Sequence, residues 1–95
     1  MKKEKGAKKT AKKRVVFTYF APDAKEVILM GDFNNWNPTI HIMKMDDKGT
    51  WKKILFLPKG RYEYKFLVDG RWMNDPKNNW MVENPFGTLN NIIST

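Results

Sequence analysis

Arg61-Tyr62-Glu63-Tyr64-Lys65-Phe66-Leu67-Val68-Asp69-Gly70-Arg71-Trp72-Met73-Asn74 decides the architecture. Tyr62, Tyr64, Phe66 and Val68 alternate with Arg61, Glu63, Lys65 and Leu67, the period of two that turns one strand face to a core and the other to water. Asp69-Gly70 closes the strand, because both residues tolerate the positive φ of a type I′ turn and let the chain fold back into Arg71 to Asn74. A two-residue loop fixes the register. Val68 then pairs with Arg71, Leu67 with Trp72 and Phe66 with Met73, and paired residues share a face. Trp72 falls beside Lys65 on the outer face, where burial does not require an indole.

Further strands are predicted at Val15 to Phe20, at Lys25 to Gly31 around the apolar run Val27-Ile28-Leu29-Met30, at Ile40 to Met45, at Thr50 to Leu57 and at Leu89 to Ser94. Ala21-Pro22-Asp23-Ala24, Asp46-Asp47-Lys48-Gly49 and Pro58-Lys59-Gly60 separate them as turns. Asp75 to Thr88 reads as a long loop. With the hairpin this makes seven short strands and no sustained helical period. The pattern predicts an all-β antiparallel sandwich of immunoglobulin-like type, with a small closed barrel as the alternative.

The 95 residues hold one domain, and the formal charge of +8 is uneven. Residues 1–14 carry eight basic side chains and one acid, leaving ten bases and nine acids for residues 15–95. The first segment is predicted to be a disordered basic tail and the rest the folded module. Contact with nucleic acid is expected only through that tail, which has no aromatic residue to stack on a base. A solubilising role suits it better. The absence of cysteine excludes disulfides, thiolate metal sites and cysteine nucleophiles and fits a reducing cytoplasm. No apolar run approaches the roughly 18 residues of a membrane helix, and the lysine-rich start has no apolar stretch of signal-peptide type.

Catalysis finds little material. His41 is the single imidazole and alternates with Ile40 and Ile42, as an ordinary exposed strand residue does. Asp46-Asp47 reads as a turn rather than as paired acids flanking a glycosidic bond. No cofactor or metal is expected, and the chain is read as a non-enzyme.

Binding chemistry is richer. Asp32-Phe33-Asn34-Asn35-Trp36-Asn37-Pro38 sets a tryptophan among three asparagines just after a buried strand. An indole offers a flat face to the C–H side of a pyranose, and an amide both donates to and accepts from adjacent hydroxyls. Pro85-Phe86-Gly87-Thr88-Leu89-Asn90-Asn91 repeats the recipe with a Phe, a hydroxyl and two amides. Trp51 is expected in the core or at a sheet edge. Trp80 is expected either as a lid over the core or as an additional contact.

Gly31-Asp32-Phe33-Asn34-Asn35-Trp36-Asn37, Tyr64-Lys65-Phe66-Leu67-Val68-Asp69-Gly70-Arg71-Trp72, Asp75-Pro76 and Phe86-Gly87-Thr88-Leu89-Asn90-Asn91-Ile92-Ile93 resemble, in order and spacing, carbohydrate-binding module family 48. The likeness is to its glycogen-binding domains from beta subunits of AMP-activated protein kinase, over about residues 15–95. It implies an early-set immunoglobulin-like sandwich that binds α-1,4-linked glucan (glycogen, starch or maltooligosaccharide) without cleaving it. It also implies Trp36 and Trp72 as a flat, solvent-facing stacking platform, with Lys65, Phe86, Thr88 and Asn90 as further sugar contacts. Asn35 and Trp80 are additional candidates. The loop from Asp75 to Phe86 is about one residue longer than in the kinase domains, and Phe86 stands where those carry Leu. The expectation is a free-standing module whose protein partner would be a separate molecule; the alternative is a sandwich kept as a protein-interaction surface.

Overall fold

The computed structural model of the protein describes residues 11–95, so of the disordered tail expected over residues 1–14 the first ten lie outside the described residues. The strands are β1 (Lys13–Phe20), β2 (Val27–Gly31), β3 (Lys44–Met45), β4 (Thr50–Leu57), β5 (Arg61–Val68), β6 (Arg71–Met73), β7 (Met81–Glu83) and β8 (Leu89–Ser94). They form two antiparallel sheets packed as a sandwich. One has the order β1-β4-β3; the other has the order β2-β5-β8-β7, with β6 also paired to β5.

The hairpin has the predicted register, with Phe66 opposite Met73, Leu67 opposite Trp72 and Val68 opposite Arg71. Asp69 and Gly70 have φ of 48° and 82°, the positive pair that a type I′ turn demands. The Asp69 carboxylate also accepts the Lys25 and Glu26 backbone N–H groups at 2.9 and 2.8 Å, tying this turn to the entry of β2. β2 then runs beside β5 from Val27 opposite Val68 to Gly31 opposite Tyr64.

Inward side chains of both sheets, with Met43 from the segment before β3, make the core: Phe17, Val27, Leu29, Trp51, Leu55, Leu57, Tyr64 and Phe66. Phe17 meets the Tyr64 ring edge-on at 5.1 Å. Each large apolar side chain buried here contributes about 1.5–3 kcal/mol. Trp51 is buried and donates its indole N–H to the Ala21 carbonyl at 2.8 Å, which places it in the core as expected.

Several boundaries differ from expectation. β1 starts at Lys13 rather than Val15, so Lys13 and Arg14 belong to the sheet and not to a tail. Their side chains are exposed, while their backbones pair with Leu57 and Phe56, supplying partners along the full length of β4. Ile40 to Met45 contracts to β3 plus one bridge between Ile42 and Ile28. Inside the expected long loop, Met81–Glu83 forms β7 against β8, an eighth strand. Among the described residues no helix is long and apolar enough to cross a membrane.

Candidate functional site

The outer face of the larger sheet follows from the register. Glu63, Lys65 and Leu67 on β5 share it with Trp72 on β6, with Asn90 and Ile92 on β8, and with Ile28 and Met30 on β2. Lys65, expected on an open face, is only 7% exposed. Its ammonium donates to the Thr88 hydroxyl at 3.3 Å and stands 5.8 Å from the Trp72 ring centroid. Desolvation lowers its pKa, and the indole face and the hydroxyl offset part of that cost. Trp72 covers Leu67 yet keeps 50% of its surface in water.

One wall grows from the end of β2. Asp32–Asn34 is a single 3₁₀ turn, and the chain leaves it through two left-handed residues, Asn35 (φ 56°) and Trp36 (φ 57°). The Trp36 N–H bonds the Gly31 carbonyl at 3.0 Å and the Asn35 N–H bonds that of Asp32 at 3.4 Å, the paired bonds of a Schellman closure. A left-handed conformation is strained for a bulky side chain, so its surroundings must hold Trp36 there. Asp32 does much of this: one carboxylate oxygen accepts the Trp36 indole N–H at 3.1 Å and the other accepts the Glu63 backbone N–H at 2.8 Å. Gly31 permits the approach, since a Cβ would sit 2.7 Å from the Glu63 carbonyl oxygen and from the Phe33 ring.

Asn34 is not part of the polar surface. It is buried, accepting from Gly31 N–H and donating to the Leu29 carbonyl and to His41 Nδ1 at 2.9 and 2.8 Å. Those backbone bonds fix the amide orientation, so His41 Nδ1 must accept and the ring carries its proton on Nε2. His41 is thus half-buried rather than simply exposed. Desolvation, then the nearby Lys53 charge, lowers its pKa.

The opposite wall is the β7–β8 turn. Asn84 organises it, its side-chain oxygen accepting the Phe86 and Thr88 N–H groups at 3.0 and 3.1 Å. Its amide nitrogen donates to the Thr88 hydroxyl at 2.7 Å and to the Asn90 side chain at 3.0 Å. Asn90 donates onward to Glu63 at 3.0 Å, and Arg61 takes the other Glu63 oxygen at 3.5 Å. Phe86 rides on this braced turn, 90% exposed.

Between the walls lies a groove of about 630 Å³, lined by Trp36, Lys65, Trp72, Phe86, Thr88 and Asn90 together with Asp32, Glu63, Asn84 and Pro85. The structure brings together the first six, which sequence reasoning singled out; Asn35 and Trp80 do not line it. Asp32, Glu63 and Asn84 were missed. Asn-Pro-Phe-Gly, with Asn opening a turn and Gly closing it, was the signal available for Asn84. Trp36 and Trp72 meet with centroids 6.2 Å apart and planes at 63°, so the platform is an angled pair and not the flat shelf expected. One ring stands on a left-handed loop and the other on a pleated strand, which gives them different planes.

A two-sheet antiparallel sandwich with an exposed aromatic and amide groove on one sheet has the build of a carbohydrate-binding module. The family model described as the glycogen recognition site of AMP-activated protein kinase matches residues 13–95, and the chain belongs to that family. It is 38% identical to 5′-AMP-activated protein kinase subunit beta-2 of Homo sapiens over 90 residues, 95% of this chain and 32% of that protein. It is 40% identical to subunit beta-1 of Sus scrofa over 86 residues, 90% of this chain and 67% of that protein. With beta-2 of Mus musculus the identity is 44% over 69 residues, 73% of this chain and 24% of that protein. The chain spans about a third of the length of the human beta-2 subunit.

Proposed function

We propose that the groove binds α-1,4-linked glucan, with Trp36 and Trp72 stacking on successive sugars and Lys65, Thr88 and Asn90 bonding their hydroxyls. Phe86 closes over the ligand from the opposite wall. The observation that carries this reading is the 63° angle between two indoles in contact. A chain that curls, as α-1,4 linkage makes it, lays neighbouring units on both planes, whereas a straight ribbon meets one ring at a time. Losing roughly 60–80 Å² of apolar surface per indole contributes about 1.5–2 kcal/mol per ring. After association entropy and hydroxyl desolvation this leaves micromolar to millimolar affinity.

The site's acids support binding without cleavage. Both oxygens of Asp32 and both of Glu63 already face protein donors, which leaves neither carboxyl free to protonate a leaving group. The relatives are named as subunits of a protein kinase, and a separate protein partner is part of the same proposal. Titration with β-cyclodextrin or maltoheptaose, followed by tryptophan fluorescence, tests the sugar reading. A saturable change is expected, lost in the Trp36→Ala, Trp72→Ala double variant. No response from the intact protein, or an unchanged one from the variant, would refute it.

A further inference from the structure

Trp80 has no place in the groove, yet its setting repeats that of Trp72. The Ile92 N–H bonds the Trp80 carbonyl at 2.9 Å, which continues the β7–β8 ladder by one residue and sets Trp80 opposite Ile92. Ile92 is opposite Glu63, a groove residue, so Glu63, Ile92 and Trp80 form one row across the outer face of the sheet. Ile92 is buried on that face although it lies outside the hydrophobic core cluster, while Trp80 keeps 51% of its surface in water. The same relation holds between Leu67 and Trp72: an aliphatic residue on the sheet, and opposite it an indole half open to solvent.

The position of Trp80 is well fixed. Asn78 bridges the place where the ladder frays, accepting the Trp80 N–H at 3.0 Å and donating to the Ile92 carbonyl at 2.8 Å. These polar bonds serve the backbone, and among the described residues no hydrogen bond reaches the Trp80 indole nitrogen and no aromatic ring pairs with its half-exposed face. Trp72 is one strand from β5 at the level of Leu67, and Trp80 is two strands away at the level of Glu63. Four residues of about 3.4 Å and one strand spacing of about 4.8 Å separate the two backbones by about 14 Å. That span exceeds one sugar and lies within reach of a short oligosaccharide running from the angled pair past Lys65 and Glu63.

We infer that Trp80 is a second stacking subsite on the same sheet face, engaged by extended linear α-glucan and out of reach of a cyclic one seated on Trp36 and Trp72. This rests on the sugar-binding reading of the groove. It makes the protein a selector for chain length: a linear ligand that spans both aromatic stations gains contact that a ring of similar sugar count does not.

The experiment compares β-cyclodextrin, maltotriose and maltodecaose by calorimetric titration on the full chain, Trp72→Ala and Trp80→Leu. Leucine keeps an aliphatic cover for Ile92 while removing the stacking face, and a thermal melt reports whether the variant folds. Maltodecaose affinity is expected to fall roughly threefold to tenfold in Trp80→Leu. Affinity for β-cyclodextrin should hold. Equal maltodecaose affinity in parent and Trp80→Leu would overturn the second subsite while leaving the groove intact, and so would a fall of the same size for both ligands. If the parent binds none of the three, or Trp72→Ala binds all three as the parent does, the groove reading itself fails and this inference falls with it.

Discussion

Asn90 and Asn91 are neighbours in the chain and point to opposite faces of β8, and their networks are built from the same amide chemistry. Asn91, completely buried, accepts from the Asn74 side chain and the Asp75 N–H and donates to the Asp75 and Asn78 carbonyls. It pins the loop after β6 against the inner layer, beside the Tyr64 hydroxyl, which donates to Asp75 and accepts from Asn78. Burial raises the Tyr64 pKa, which keeps that hydroxyl protonated as a donor. Asn90 instead links Glu63 to Asn84 and, through it, to Thr88 at the water's edge. The inner network ties backbone groups to the core-side Tyr64 hydroxyl, whereas the outer one, besides bracing the Phe86 and Thr88 N–H groups, ends on the Glu63 and Thr88 side chains that line the groove. Where an amide network terminates separates scaffold from site more clearly than how many asparagines it contains.

The strongest way to break this contrast is Asn91→Ala. It strands several buried partners, and about 3 kcal/mol of stability is expected to be lost in chemical denaturation. Sugar affinity of the folded fraction should stay near that of the parent. Trp72→Ala should do the reverse, costing about tenfold or more in β-cyclodextrin affinity by calorimetry while shifting the melting temperature little. Asn84→Ala sharpens the distinction from the middle. Freeing the Phe86 and Thr88 N–H groups should lower stability by about 1 kcal/mol and weaken sugar binding a few-fold, because the turn carrying Phe86 loses its brace.

The smallest effect concerns His41. Its pKa is lowered from 6.5 in the folded state, so the unfolded chain takes up the proton first as acid is added. Stability is therefore fully present above 6.5 and declines as pH falls from there towards the folded-state value. Protonation also ends acceptance of the Asn34 bond at Nδ1. Denaturation midpoints between pH 7.5 and 5 should show the fall, and His41→Gln should flatten it.

Much of this was readable from residue order. Alternation in Arg61–Val68 and the Asp69-Gly70 turn set a register that placed Trp72 and Lys65 together, because a two-residue hairpin leaves no freedom to slip. What escaped depended on contacts distant in sequence. β7 is three residues long and is a strand only because β8 lies beside it. Asn34 looked like its neighbour Asn35, and only the fold of the 3₁₀ turn sends one amide inward and leaves the other in water. Lys65 was placed on the right face, but its burial comes from Trp72 and the β7–β8 turn closing over it. The angle between the indoles depends on backbone torsions at Asn35 and Trp36 that asparagine-rich composition does not encode.

Those consecutive left-handed residues carry one more implication. The Trp36 backbone is held by its bond to Gly31 and its indole by an aspartate that simultaneously grips β5, so the bonds that join the loop to the sheet also set the ring in place. The entropy of arranging that side chain is surrendered when the polypeptide first collapses, and an arriving oligosaccharide inherits a finished surface. On heating, recognition should vanish in the same cooperative step that melts the sandwich, with no cooler stage at which an intact fold has already gone blind to its ligand.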